Sequence, residues 1–219
     1  MSSHEMKSTR LEALSDGVIA VIITIMVLEL HVPEANGPAG LWHVAPRLGI
    51  YALSFVMTGI YWINHHELCR RTEVVNYRVL WSNLLFLFTL SLIPFFTDYV
   101  GEKHFDSFST ALYAVVMLVA GQGFLVLRLS LDNLRRRRGE VVAKTDHMET
   151  VKHIASLVLY VAAIPVAYYK PMLSLALNFM VTLIWIAPEL GLNKTEACLD
   201  EHAKAHAHES KQEVASHES

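Results

Sequence analysis

Hydrophobic positions along the chain fill six long runs, at about 11–32, 44–66, 79–99, 108–131, 152–169 and 171–188. A bilayer core about 30 Å thick takes roughly 20 predominantly apolar residues per helix, so the pattern predicts six membrane-spanning helices. Polar stretches separate the runs: "VPEANGPAG", "ELCRRTEVVNYR", "GEKHFDSF", "RRRRGEVVAKTD" and "YYKP". The last is so short that the fifth and sixth helices are expected to pair as an antiparallel hairpin. The predicted fold is thus an all-α membrane protein, with a six-helix domain over 1–188. A polar tail with some helical tendency follows over 189–219.

Composition agrees with that pattern. Of the 219 residues, 53% are hydrophobic and 18% charged, and the mean hydropathy is +0.34; soluble domains carry about 25% charge. The basic residues give an orientation. With a cytoplasmic amino terminus, fifteen of the 18 Lys and Arg residues fall inside. Only Arg47, Lys103 and Lys170 remain outside, as expected from the preference of Lys and Arg for cytoplasmic loops. Both termini are then cytoplasmic. The two cysteines, Cys69 and Cys198, fall on the cytoplasmic side, so no disulfide is expected. The first apolar run lacks a small-residue cleavage site and reads as a retained helix.

Several polar residues share one depth. Ser15 and Asp16 lie near the start of the first helix. Trp62, Asn64, His65 and His66 end the second, and Arg78, Trp81, Ser82 and Asn83 begin the third. An unpaired polar group in hydrocarbon costs several kcal/mol, so these groups are expected to satisfy one another and clamp the first helix against the next two. Read more plainly, they are interfacial residues, with Trp62 and Trp81 in an aromatic belt. On the first helix, steps of three and four from Thr24 place Leu14, Gly17, Val21, Thr24 and Leu28 on one stripe, which Arg10 continues. Asp16, Ala20, Ile23 and Val27 point roughly the other way. The stripe faces lipid, a neighbouring subunit, or a pore formed by repeating the helix around an axis. The hydroxyl of a lone Thr also has its own i−4 carbonyl as a partner.

The stretch Arg10, Leu14, Ser15, Asp16, then Thr24, Ile25, Met26, Val27, Leu28, Glu29 resembles the first-helix motif of the endolysosomal potassium channel family. The match is with its prokaryotic single-repeat, six-helix members in particular. That motif reads R-x-x-x-F-S-D, followed by an apolar run ending near T-L-L-V-L-E. "YWINHHELCRR" and "LWSNLLFLFTLSLIPFFTDYVGE" extend the similarity over most of residues 8–103. Leu14 stands where the motif has Phe, removing an aromatic contact near the cytoplasmic mouth. The resemblance implies a homotetramer in which four copies of the first helix line a central pore. It implies that Val21, Thr24 and Leu28 form the narrow layers. It also implies that Ser15 and Asp16, with Arg10, Trp62, Asn64, His65, His66, Trp81 and Asn83, form the network that holds the pore helix.

The implied activity is a leak-like potassium conductance with modest discrimination against sodium. Thr24 hydroxyls would replace part of the ion's hydration shell, and Val21 and Leu28 would constrict the path. No T-V-G-Y-G filter is present, and no arginine-rich helix reads as a voltage sensor. Arg135 to Arg138 read as a topology signal in contact with anionic lipid. His202, His206 and His208 in the tail lack the frame of a metal site, and "NHHEL" is not H-E-x-x-H. No enzyme motif is found, and no cofactor, metal or nucleic acid is expected. The expected partners are other copies of the chain, membrane lipids and permeant potassium, in a prokaryotic cell membrane. Two alternatives stay open. One is a proton-coupled carrier or proton pathway through Asp16, His65 and His66, disfavoured by the lack of an internal repeat. The other is a non-conducting membrane scaffold.

Overall fold

A computed structural model describes residues 6–33, 37–139 and 147–186. Its first elements are a two-residue strand β1 (Met6–Lys7), helix α1 (Ser8–Leu28), helix α2 (Gly37–Arg70) and strand β2 (Val74–Val75). Then come α3 (Tyr77–Ser91), α4 (Ile93–Glu102), α5 (Ser107–Arg137) and α6 (His147–Tyr169). A further helix, α7, spans Pro171–Ile186. Five helical segments among the described residues are long and apolar enough to cross a membrane: Ser8–Leu28, Val44–Arg70, Tyr77–Glu102, Ser107–Arg137 and Thr150–Tyr169. The sixth predicted span corresponds to α7, which is apolar but shorter. Packing divides the chain at Thr182, and of the second unit only 183–186, the end of α7, are described. The expected tail at 189–219 lies outside the described residues.

Element boundaries depart from the hydropathy pattern where local chemistry outweighs it. α1 stops at Leu28 rather than continuing to 32; Leu30 N–H turns back to the Val27 carbonyl, and Pro33 follows. α2 continues past 66 to Arg70. Its last turn is polar but self-paired, with Glu67 bonded to both Arg70 and Arg71 at the i,i+3 and i,i+4 spacings a helix favours. The third span consists of α3 and α4, divided at Leu92. Pro94, in the first turn of α4, has no N–H to give the preceding turn. Asn76 caps α3 by accepting from Val79 N–H, and Asp106 caps α5 by accepting from Ser109 N–H at 2.7 Å. Those Ser109 bonds hold the Asp106 carboxyl below its ordinary pKa.

α5 is the central helix, packed against α3, α4 and α6, while α1 lies on α2, α3 and α4. Phe86 of α3 is fully buried where three helices meet. It packs edge-on against Tyr61 of α2 and Phe124 of α5, and His65 stacks on it at 5.8 Å. Gly123 lets α3 and α5 close there. A Cβ at that position would lie 2.7 Å from Thr89 Oγ1 and 3.3 Å from the Phe86 backbone.

Candidate functional site

α1 has a buried stripe at Leu11, Ser15, Ile19, Ile22 and Met26, spaced by three and four as one helix face requires. Leu14, Gly17, Val21, Thr24, Ile25 and Leu28 are exposed, Val21 by 54% and Leu28 by 78%. The exposed side is therefore the stripe read from Thr24. The bundle-facing side is centred on Ser15 and not on Asp16: Asp16 is half-buried at the edge, and Ala20 and Val27 are exposed.

A buried chain of hydrogen bonds crosses three helices. His65 Nε2 lies 2.9 Å from Asn83 Oδ1, Asn83 Nδ2 donates to Ser15 Oγ at 2.9 Å, and Ser15 Oγ donates to the Leu11 carbonyl at 2.8 Å. Each link fixes the next. Ser15 has spent its hydrogen, so it accepts from the Asn83 amide; the Asn83 oxygen then accepts from His65, which carries its proton on Nε2. Cys69 Sγ lies beside the imidazole, 3.7 Å from Nε2 and 3.8 Å from Nδ1. Leaving one of these buried groups unpaired costs about 1–3 kcal/mol, so the chain fixes α1 in rotation as well as position.

A second, outer pair of contacts reinforces it. Trp62 Nε1–H donates to Asp16 Oδ1 at 2.8 Å, and His66 Nδ1 meets Glu12 Oε1 at 2.8 Å. The Trp62 and His66 rings stack at 6.2 Å. Glu12 was not among the residues singled out from the sequence, although it lies four before Asp16, one helical turn away. The start of α1 is tied down as well. β1 pairs antiparallel with β2, Ser8 N–H donates to the Glu73 carbonyl at 3.0 Å, and Ser8 Oγ reaches the Cys69 carbonyl.

Three expected members make no bond to this set. The Asn64 amide turns back to the Ile60 carbonyl of its own helix. Trp81 is 61% exposed and meets Tyr77 edge-on, as an interfacial aromatic does. Arg10 is exposed, with no side-chain partner among the described residues.

Thr24 Oγ1 lies 3.0 Å from both the Ala20 and the Val21 carbonyls. Its hydrogen is thus committed to the helix, while its oxygen keeps lone pairs on an exposed face, the polarity a cation needs. Beside the exposed stripe an apolar groove of about 620 Å³ opens between α1 and α4, lined by Leu14, Val21 and Ile25 opposite Pro94 and Phe95. Farther along, His31, Asp98 and Glu102 bring possible ligand atoms within 4.8 Å of one another. Glu102 is already paired with Arg47 at 2.9 Å, and His31 Nδ1 lies 2.9 Å from the Glu29 carbonyl. The tail histidines lie outside the described residues.

Five long apolar helices among the described residues, with buried hydrogen bonds linking α1, α2 and α3, define a multi-pass membrane protein. Residues 10–94 match the model of the endosomal/lysosomal potassium channel TMEM175 family. A potassium channel of Chryseobacterium sp. (strain P1-3) is 37% identical over 191 residues, covering 87% of this chain and 98% of that protein. One of Streptomyces collinus is 36% identical over 129 residues, 55% of this chain and 63% of that protein. In fold, the chain is similar to a crystallised lysosomal potassium-selective channel TMEM175 homolog from Chamaesiphon minutus. There the TM-score is 0.67 at 22% identity, covering 83% of this chain and 97% of the other. The chain belongs to the TMEM175 family.

Proposed function

We propose that this protein is the subunit of a potassium-permeable, leak-like cation channel of the cell membrane, with both termini cytoplasmic. It acts as a homotetramer with α1 lining the central pore. One observation carries this reading. α1 is bonded to its own subunit along one face, and it leaves exposed an otherwise apolar stripe that carries a single hydroxyl, Thr24. Kinship with proteins named as potassium channels supports it. The groove beside the stripe gives a neighbouring subunit's helix room to pack. In the tetramer, four Thr24 oxygens replace part of the ion's water, and rings of Val21 and Leu28 narrow and dewet the path. Asp16 and Ser15 act from the other side of the helix, holding it without touching the ion.

The test is cation flux from liposomes containing the purified protein, with potassium and sodium exchanged and wild type set against Leu28→Ala. Flux that favours potassium and rises when Leu28 is shortened is the expected result. Flux indifferent to Leu28 would remove α1 from the pore axis. Uptake that needs a proton gradient would make the protein a carrier.

A further inference from the structure

Where α3 begins and α5 ends, the two helices enclose a cleft of about 220 Å³ lined by Asn76, Arg78, Ser130, Asn133, Leu134 and Arg137. None of these side chains is acidic. Arg78 and Arg137 have no ion pair among the described residues, and Asp132, the nearest carboxylate along α5, is turned to Arg128. The donors are already oriented. Asn76 Oδ1 accepts from Val79 N–H, and its Nδ2 has no hydrogen-bond partner among the described residues. The Ser82 and Ser130 hydroxyls bond across the helices at 2.8 Å and fix the floor of the cleft. Two guanidinium forks and two amides thus line a space to which no carboxylate is contributed.

We infer that this cleft binds a phosphate group, presented by an anionic phospholipid at the membrane surface. Guanidinium groups match phosphate oxygens two at a time, and two of them balance its charge. The cleft is smaller than the roughly 300 Å³ at which sites for drug-sized ligands begin, which suits a headgroup fragment. Its position favours the lipid source. From Arg78, steps of three and four along α3 reach exposed Trp81 and Leu85; from Arg137, the same steps back along α5 reach exposed Val126. An acyl chain has an apolar path leading away from the headgroup. The arginine run is therefore not one undifferentiated charge. Arg137 lines the cleft and Arg136 does not. The inference rests on the membrane-spanning helices and is independent of ion conduction.

The experiment measures thermal stabilisation of the full-length protein in neutral detergent. The probes are short-chain phosphatidylglycerol, short-chain phosphatidylcholine and inorganic phosphate. Phosphatidylglycerol is expected to raise the melting temperature saturably and phosphatidylcholine to leave it unchanged. R78Q and R137Q should each weaken the response about tenfold, the worth of one charge-assisted contact. R136Q, with the same loss of charge, should not. R137K keeps the charge but loses the fork, so it should fall between wild type and R137Q; it also serves if a glutamine variant does not fold. Equal stabilisation by inorganic phosphate would keep the site and assign it a soluble anion. No response to either anion, or an R136Q defect equal to that of R137Q, would overturn the proposal.

Discussion

From Ser8 to Asp16, α1 is held by atoms with direction: a strand pair, a buried histidine–asparagine–serine chain, an indole on a carboxylate and an imidazole on another. From Ile19 to Leu28 its bundle-facing side is Ile19, Ile22 and Met26, and a groove opens beside it. Apolar contacts set distance but only weakly set rotation, whereas a hydrogen bond fails once its partner turns away. The helix is thus oriented at its first half, and its second half, which carries Thr24 and Leu28, inherits that orientation.

The largest effect should come from Asn83→Leu, which removes the middle of the buried chain, leaves His65 without its partner and cuts the link between α3 and Ser15. A loss of roughly 2–4 kcal/mol is expected, read as a lowered melting temperature of the purified protein. Unchanged stability would mean that the chain does not hold α1. Gly123→Ala acts on the same asparagine indirectly, by forcing α5 away from α3 within two turns of Asn83. Overpacking there should cost about 1–3 kcal/mol, whereas Gly121→Ala, which meets only the Tyr61 hydroxyl at 3.3 Å, should cost less. A reversed order between the two glycines would refute the close approach described at Phe86.

Asp16→Ala should cost about 1 kcal/mol, since its bond to Trp62 is partly open to solvent. Asp16→Asn keeps an oxygen for the indole and should cost less, with reduced assembly or conductance as its more sensitive readout. Thr24→Ala belongs to the other half and should change stability by less than about 0.5 kcal/mol. It should nonetheless reduce potassium-over-sodium preference, seen as a shifted reversal potential in mixed-ion gradients. A Thr24 variant that unfolds the protein while preserving selectivity would abolish the contrast between the two halves.

Depth was legible in the sequence, whereas rotation about the helix axis was legible only in part. Polar residues inside apolar runs must find partners, and that rule alone singles out Ser15, Asp16, Trp62, His65, His66 and Asn83. Asn64 and His65 are neighbours at the same depth but lie about 100° apart on the helix. Only packing decides that one faces Asn83 and the other returns to its own backbone. Trp81 and Asn83 divide the same way. Glu12 escaped notice because a charge near a helix end needs no partner in principle. The β1–β2 pair escaped because two residues carry no periodicity. On α1 itself the exposed stripe was correct by spacing, but the opposite face was centred one residue too late, at Asp16 instead of Ser15.

Mechanically, α1 is a cantilever built in at its root. From Asp16 to Leu28 the helix rises about 18 Å, at 1.5 Å per residue. A tilt of about 5° at the root therefore carries the Leu28 end sideways by about 1.5 Å, a lever ratio fixed by helix geometry alone. Any agent that slackens or tightens the few polar contacts at the base is felt most strongly at the far tip.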